Sequence, residues 1–472
     1  MVFTSHTFLF GFLPLALLFY FLTPARWRSL TLTLVSYVFY GWWNPWFVFL
    51  MLGSTLLDYQ CGRAISREGA STLSRKAGLY VSVLANLGVL AFFKYALFFS
   101  ESVNSIALLF GWQEVAAPEF LRTIVLPVGI SFYTFQSMSY SIDLYRGHAR
   151  AAKNFVDFAC YVSLFPQLVA GPIVRYGSIA EQIRNREETL PGFVGGFTRF
   201  NYGFAKKVLL ANPMGAIADL CFEAGSGSLS PALAWVGVLA YAFQIYFDFS
   251  AYSDMALGLG RMLGFRFPEN FDSPYKSRSI TEFWRRWHIS LSSFLRDYLY
   301  IPLGGNRKGR ARTYLNLFLV MLIGGLWHGA QWTFVIWGGI HGFWLALERF
   351  CKGRVKWVLP SWVRWPVTFS VLLITWVFFR AESLEVALRY LAAMFGGSDL
   401  TPASDLLSDV VLRPTHLLQL GIAFVFAFFL PNTQQFLQRV CAWKLVLGLL
   451  LLFGSVRILS VQGFNPFLYF QF

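Results

Sequence analysis

Charge is what this chain has least of. Asp, Glu, Lys and Arg make up 13% of its 472 residues, about half the share of a soluble domain. That scarcity excludes the two or three ordinary soluble domains that the length alone would suggest. Cysteine is sparse as well. Cys61, Cys160, Cys221, Cys351 and Cys441 are scattered, which argues against a disulfide framework and against a zinc site of closely spaced ligands. No basic cluster precedes the first apolar run, and Pro14 interrupts it, so a retained first helix is expected rather than a cleavable leader. There is no G-x-S-x-G elbow, no H-E-x-x-H pair and no P-loop. The serine-hydrolase, zinc-peptidase and P-loop mechanisms are therefore not signalled. No repeat with a period of 20–50 residues is visible.

What is present is apolar and aromatic. Hydrophobic residues make up 56% and aromatic residues 19%, with 51 Phe and 17 Trp. Uncharged runs approach the roughly 20 residues needed to cross a bilayer. The fold class expected is all-α and polytopic, with about 11–13 transmembrane or re-entrant helices. Candidate spans are 7–22, 29–43, 45–58, 78–99, 122–142, 155–172, 208–222, 231–250, 315–333, 334–348, 363–379, 417–430 and 445–460. Several are short or hold Pro or Gly, so half-spanning helices around a central cavity are expected. The net charge of +15 suits basic cytoplasmic loops better than nucleic acid, which is not expected as a partner. Arg26, Arg28, Arg63, Arg67, Arg75 and Lys76 mark inner loops, and Glu101, Glu114 and Glu119 an outer one. Glu382, Glu385, Asp399, Asp405 and Asp409 mark the loop 381–415 as external. Both termini are then expected outside.

The longest polar interruption runs from Arg261 to Arg312, with eleven Lys/Arg against four Asp/Glu. Its charge places it in the cytoplasm. Ile280, Phe283, Trp284, Trp287, Leu291, Phe294 and Tyr298 recur at helical spacing, while Arg285, Arg286 and Arg296 take other faces. That pattern predicts a helix lying at the inner membrane surface. "GGNRKGR", Gly304 to Arg310, lacks P-loop spacing. Its backbone N–H groups with Arg307 and Lys308 are a candidate phosphate cradle, and a plain basic hairpin is an equal reading.

From Thr313 to Leu347 there is no charged side chain, yet His328 and His341 lie there. An ionisable ring at membrane depth is a functional candidate, although a neutral ring bonded between helices is the plainer account. Around His328, Gly324, Gly325 and Gly329 leave space for another molecule, and Trp327 and Trp332 are placed to exclude water. Burial disfavours the charged ring, which leaves a neutral base able to take a hydroxyl proton. His341, in "GGIHGFW", has a similar local setting. Asp248 and Asp254 are a weak cation signal, and helix-packing contacts suit them better.

Three long motifs then resemble one family. "QIYFDFSAYSDMALGLGRMLGFRFPENFDSPY", "SITEFWRRWHISLSSFLRDYLYIPLGGNRKG" and "GGLWHGAQWTFVIWGGIHG" resemble the membrane-bound O-acyltransferases. The closer likeness is to the bacterial branch of alginate O-acetylases and teichoic-acid D-alanyl transferases. The likeness extends over nearly all of 1–472, a single transmembrane domain. It implies a ring of helices around a thin central partition pierced by a tunnel. It places the family's histidine at His328, as general base, and its second polar position at His288, on the donor side or in support.

The function so implied is transfer of an acetyl group from a cytoplasmic thioester, acetyl-CoA or an acyl carrier thioester, toward an exported polysaccharide. Alginate is the first expectation, then cellulose or peptidoglycan. No metal is expected. Arg285, Arg286, Arg307 and Lys308 are candidates for docking the acidic donor. The aromatic tail 463–472, "FNPFLYFQF" at its end, holds Tyr469, a candidate acyl relay or partner dock. The expected partners are an extracytoplasmic acetyltransferase, a polysaccharide synthesis and export complex, and membrane lipid, in a bacterial inner membrane. A transporter or flippase is the competing class, but no paired broken helices support it. A passive assembly scaffold is a third.

Overall fold

The uncharged runs become helices because, without water, only a helix satisfies its own backbone groups within one segment. The computed structural model describes residues 1–113, 117–169, 171–225, 227–352, 354, 360–397 and 400–466. Glu114, Asp399 and Tyr469 lie outside the described residues. Among the described residues the chain is helical without a strand. Four helices among the described residues are long and apolar enough to span a bilayer alone: Thr72–Leu109, Pro231–Met262, Ser361–Arg380 and Ala442–Val461. Ala403–Val411 and Pro414–Phe428 form a fifth candidate, bent by 56°. The chain divides into two compact units. The first holds Met1–Phe197 and Ala256–Pro268, the second Thr198–Met255 and Glu269–Phe472.

In the first unit, helices Trp46–Ser66, Thr72–Leu90 and Ile130–Arg146 are joined by polar side chains. Asp58, fully buried, accepts from the Ser82 hydroxyl at 2.6 Å and from Asn86 Nδ2 at 2.9 Å. The Ser82 and Ser141 hydroxyls lie 2.7 Å apart. Where lipid removes the hydrophobic drive between helices, such contacts hold them together. Glu101 lies on the helix Ala96–Leu109 rather than in a loop. The apolar periodicity continues past the point where that acidic residue suggested an end.

The second unit is built on aromatic packing around the first part of Pro231–Met262. Tyr246, Phe271, Tyr275, Phe283, Trp287 and Trp376 are all buried in one cluster. This corrects the expectation of a single surface helix through Ile280–Tyr298. The segment is two short helices, Ile280–Arg286 and Ile289–Leu295, broken at Trp287 and His288, followed by a π-helical turn, Arg296–Tyr300. Its stripe faces protein: Phe283, Trp284, Trp287, Leu291 and Phe294 are all buried. Helical spacing reports a buried face but not what buries it.

Helices Arg310–His328 and Trp332–Cys351 form a tight hairpin through Gly329, Ala330 and Gln331. A Cβ on Gly325 would lie 2.2 Å from the Phe334 carbonyl oxygen, and one on Gly338 would lie 2.4 Å from that of Met321. The glycines therefore admit the neighbouring helix. This corrects the reading of Gly325 and Gly329 as room for another molecule, since the Phe334 ring lies against Gly329.

Candidate active site

The second unit brings His288, His328 and His341 into one aromatic cluster. The rings of His288 and His328 lie 6.4 Å apart between centroids, at 64°. Trp327, Trp337 and Phe379 surround His328 edge-on at 5.0, 5.3 and 5.2 Å. Trp337 also touches His341, at 4.8 Å. His288 and His341 have no exposed surface, and His328 is 6% exposed. Trp332, expected to exclude water, is 52% exposed, whereas Trp337 and Phe379 lie against the His328 ring.

Each ring is placed by the local chain. His328 ends the helix Arg310–His328, because Gly329 is extended, with φ −156° and ψ 147°. His341 lies mid-helix, and its Nδ1 accepts from the Trp284 indole N–H at 3.2 Å. That bond binds two elements together and uses the nitrogen lone pair. His288 lies at the break between the two short helices, with φ +43°. A left-handed conformation costs a non-glycine residue about 1–2 kcal/mol, so its surroundings must hold it. They do so by pairing with 270–272. The Asp272 N–H donates to the Arg286 carbonyl at 2.9 Å, and the Ile289 N–H to the Asn270 carbonyl at 3.0 Å. The Asn270 side-chain oxygen lies 3.2 Å from His288 Nδ1. It also accepts the Ser290 N–H at 3.1 Å and the Ser290 hydroxyl at 2.9 Å. Phe249 packs on the other side of His288 at 4.7 Å.

The basic candidates are more dispersed. Arg285, Arg307 and Lys308 are exposed. Arg286 pairs with Glu282 at 2.9 Å and lies 3.9 Å from Asp272. Gly304, Gly305 and Gly309 all take positive φ, as the tight turn requires. The N–H groups of Gly304, Gly305 and Arg307 are already bonded within that turn. A phosphate there would meet side chains, with those three amides engaged.

Sequence reasoning missed a buried charge network. The Arg199 guanidinium spans Asp254, at 2.8 and 3.0 Å, and Glu269, at 2.6 Å through two bonds. Lys206 reaches the other oxygen of Asp254 at 2.5 Å. Lys207 pairs with Asp248 at 2.7 Å, both almost wholly buried. The two carboxylates thus hold cations of the protein itself, in keeping with a packing role. Among the described residues no group of three or more His, Cys, Asp or Glu is placed to hold a metal. Lys207 also donates to the Pro466 carbonyl, and Asn212 Nδ2 lies 3.4 Å from the Phe464 carbonyl. The described end of the tail is thereby fastened inside this unit. Arg199, Lys206 and Lys207 in "FTRFNYGFAKKVLLANP" carried the signal. Cations in an apolar helix require buried counter-ions.

The model of the membrane-bound O-acyltransferase family matches residues 4–388. The chain is 46% identical, over 508 residues that cover all of both proteins, to the probable alginate O-acetylase AlgI of Azotobacter vinelandii. It is 51% identical over 395 residues to the protein of that name from Pseudomonas aeruginosa, covering 84% of this chain and 75% of that one. It is 38% identical over 431 residues to the peptidoglycan O-acetyltransferase of Helicobacter pylori, covering 84% and 80%.

Proposed function

The chain belongs to the membrane-bound O-acyltransferase family, and on that premise we propose that it passes an acetyl group from a cytoplasmic thioester toward an exported polysaccharide. Alginate is the polymer favoured, because the similar proteins over the full length are named alginate O-acetylases. Peptidoglycan is second, from the Helicobacter pylori relative. The observation that carries the reading is the approach of the His288 and His328 rings to 6.4 Å inside a buried aromatic wall.

In this mechanism His328 is the general base. It takes the proton of the acceptor hydroxyl as that oxygen bonds to the thioester carbonyl carbon. The tetrahedral adduct collapses, the C–S bond breaks, and the departing thiolate receives the proton from the imidazolium. The products are an O-acetyl ester and a free thiol. The wall of Trp327, Trp337 and Phe379 keeps water from competing for the acyl group. His288 supports the reacting groups. The donor is acetyl-CoA or an acyl carrier thioester, and Arg285, Arg286, Arg307 and Lys308 attract its acidic part through a screened field. The working site is the bacterial inner membrane, beside an extracytoplasmic acetyltransferase and the polymer export machinery.

Tyr469, on the tail beyond the fastened residues, relays the acyl group or docks the partner. A normally acetylating Tyr469→Phe variant removes the relay. The main test is thiol release from acetyl-CoA by purified protein. Wild type releases free coenzyme A, and His328→Ala loses on the order of a hundredfold or more. Undiminished release by His328→Ala would refute the assignment.

A further inference from the structure

We propose that Asn270 is a positioning residue that fixes the tautomer of His288, so that His288 meets substrate with an accepting Nε2. The inference rests on the reading of His288 as part of the acyl-transfer site. It begins from a group whose role is unambiguous. The backbone N–H of Ser290 can only donate, and it points at the Asn270 side-chain amide from 3.1 Å. The amide atom facing it is therefore oxygen, because the NH₂ group there would set donor against donor. The Ser290 hydroxyl bonds to the same atom at 2.9 Å.

An amide oxygen cannot donate. His288 Nδ1, 3.2 Å from it, must then carry the proton. Among the described residues the ring and hydrogen-bond contacts of His288 are Phe249, Trp327, His328, Asn270 and Ser290, with no carboxylate. A buried ring with no counter-ion stays neutral. With Nδ1 protonated, the lone pair is on Nε2, which is buried and has no hydrogen-bond partner among the described residues. In this state Nε2 accepts from a substrate O–H or N–H and cannot polarise the thioester carbonyl. The left-handed backbone of His288 serves the same end. It turns the ring back over the non-helical segment 270–272, where the Asn270 carbonyl holds Ile289 and its side chain holds the ring. Asparagine orients a histidine in the same manner in Cys–His–Asn triads.

The test combines a spectroscopic and a kinetic readout. Protein is labelled with ¹⁵N only in its six histidines, and the His288 signals are assigned by their loss in His288→Gln. The unprotonated resonance of His288 in the wild type is expected at Nε2. Asn270→Leu, of similar volume, is expected to mix the tautomers. It should also lower kcat about ten- to a hundredfold, as loss of an outer partner of a functional histidine does. KM for the thioester should change by less than about threefold, because no substrate contact is removed. Asn270→Asp keeps the acceptor and should hold kcat to within about threefold of wild type on the alkaline plateau of its pH profile, where the imidazole is neutral. A proton on Nε2 in the wild type, or an unimpaired Asn270→Leu, overturns the proposal. If Asn270→Leu fails to fold, the wild-type spectrum and Asn270→Asp still decide. Full turnover by His328→Ala with the expected His288 spectrum would sink the site assignment while leaving the tautomer intact.

Discussion

Gly325→Ala tests how closely the ring of His328, the proposed base, depends on one helix contact. The added methyl carbon would lie 2.2 Å from the Phe334 carbonyl oxygen, whereas ordinary contact begins at 3.4 Å. The shortfall is about 1.2 Å. Gly338 Cα and N lie at 3.0 and 3.1 Å, so the obstruction is backbone and no side chain can rotate away. The helices Arg310–His328 and Trp332–Cys351 must separate or slide. His328 lies three residues beyond Gly325 on one helix, and Trp337 lies next to Gly338 on the other. Their 5.3 Å edge-on contact is therefore lost or distorted. Overpacking of this kind costs about 1–3 kcal/mol of stability. A misplacement of about 1 Å at a reacting group costs on the order of a hundredfold in rate. Thiol release by purified Gly325→Ala should thus fall by about that factor, with a lowered melting temperature in detergent. Gly324→Ala is the control, because the atom nearest its new methyl is the far end of Leu295, at 3.2 Å. It should keep kcat to within about threefold. Wild-type turnover in Gly325→Ala would show that the hairpin contact does not set the ring.

Two further perturbations separate structure from chemistry. His341→Asn keeps an acceptor near the position of Nδ1 for the Trp284 indole. It should retain kcat to within about threefold while melting lower, since the lost ring atoms leave a cavity. A collapse of turnover at unchanged melting would give His341 a chemical role. Lys207→Met leaves Asp248 buried without its ammonium and should destabilise by about 3–5 kcal/mol. Lys207→Met with Asp248→Leu should recover most of that in a thermal melt. A single variant as stable as wild type would show that the pair is not what neutralises that carboxylate.

Much of the fold was legible because lipid leaves few options. Runs without charge became helices, and the cores of the spans at 231–250, 363–379 and 445–460 lie within helices that meet the length and polarity needed to cross. Helix ends were less legible. Glu101 suggested a loop, yet one acidic residue near an end costs little and the helix continues. The glycines around His328 were read as space for another molecule, yet at Gly325 and Gly329 the neighbouring helix fills it, a choice a sequence does not reveal. Asn270 was not singled out within "RFPENFDSPY", because an asparagine in a non-periodic stretch reads as a turn residue. Its role appears only when the chain after Trp287 folds back on it.

The two histidines of the uncharged region show where local reading runs out. "GGLWHG" and "WGGIHGFW" both set a histidine among glycine and tryptophan. What separates the two rings is contact made across the unit. At His341 the Trp284 indole takes up the Nδ1 lone pair, so the ring serves as a joint between helices. His328 has three aromatic edges and a second histidine ring beside it, which shelter it from water. In the proposed mechanism a base in such a place need not shed a hydration shell before it takes a proton, and the thioester is kept from hydrolysis. The low charge that marks the chain as a membrane protein is thus also a condition for this chemistry. A carboxylate introduced beside His328, as in Phe379→Asp, should hold the ring as imidazolium and abolish thiol release near neutral pH. Activity that survives that change would mean that the proton leaves by another route.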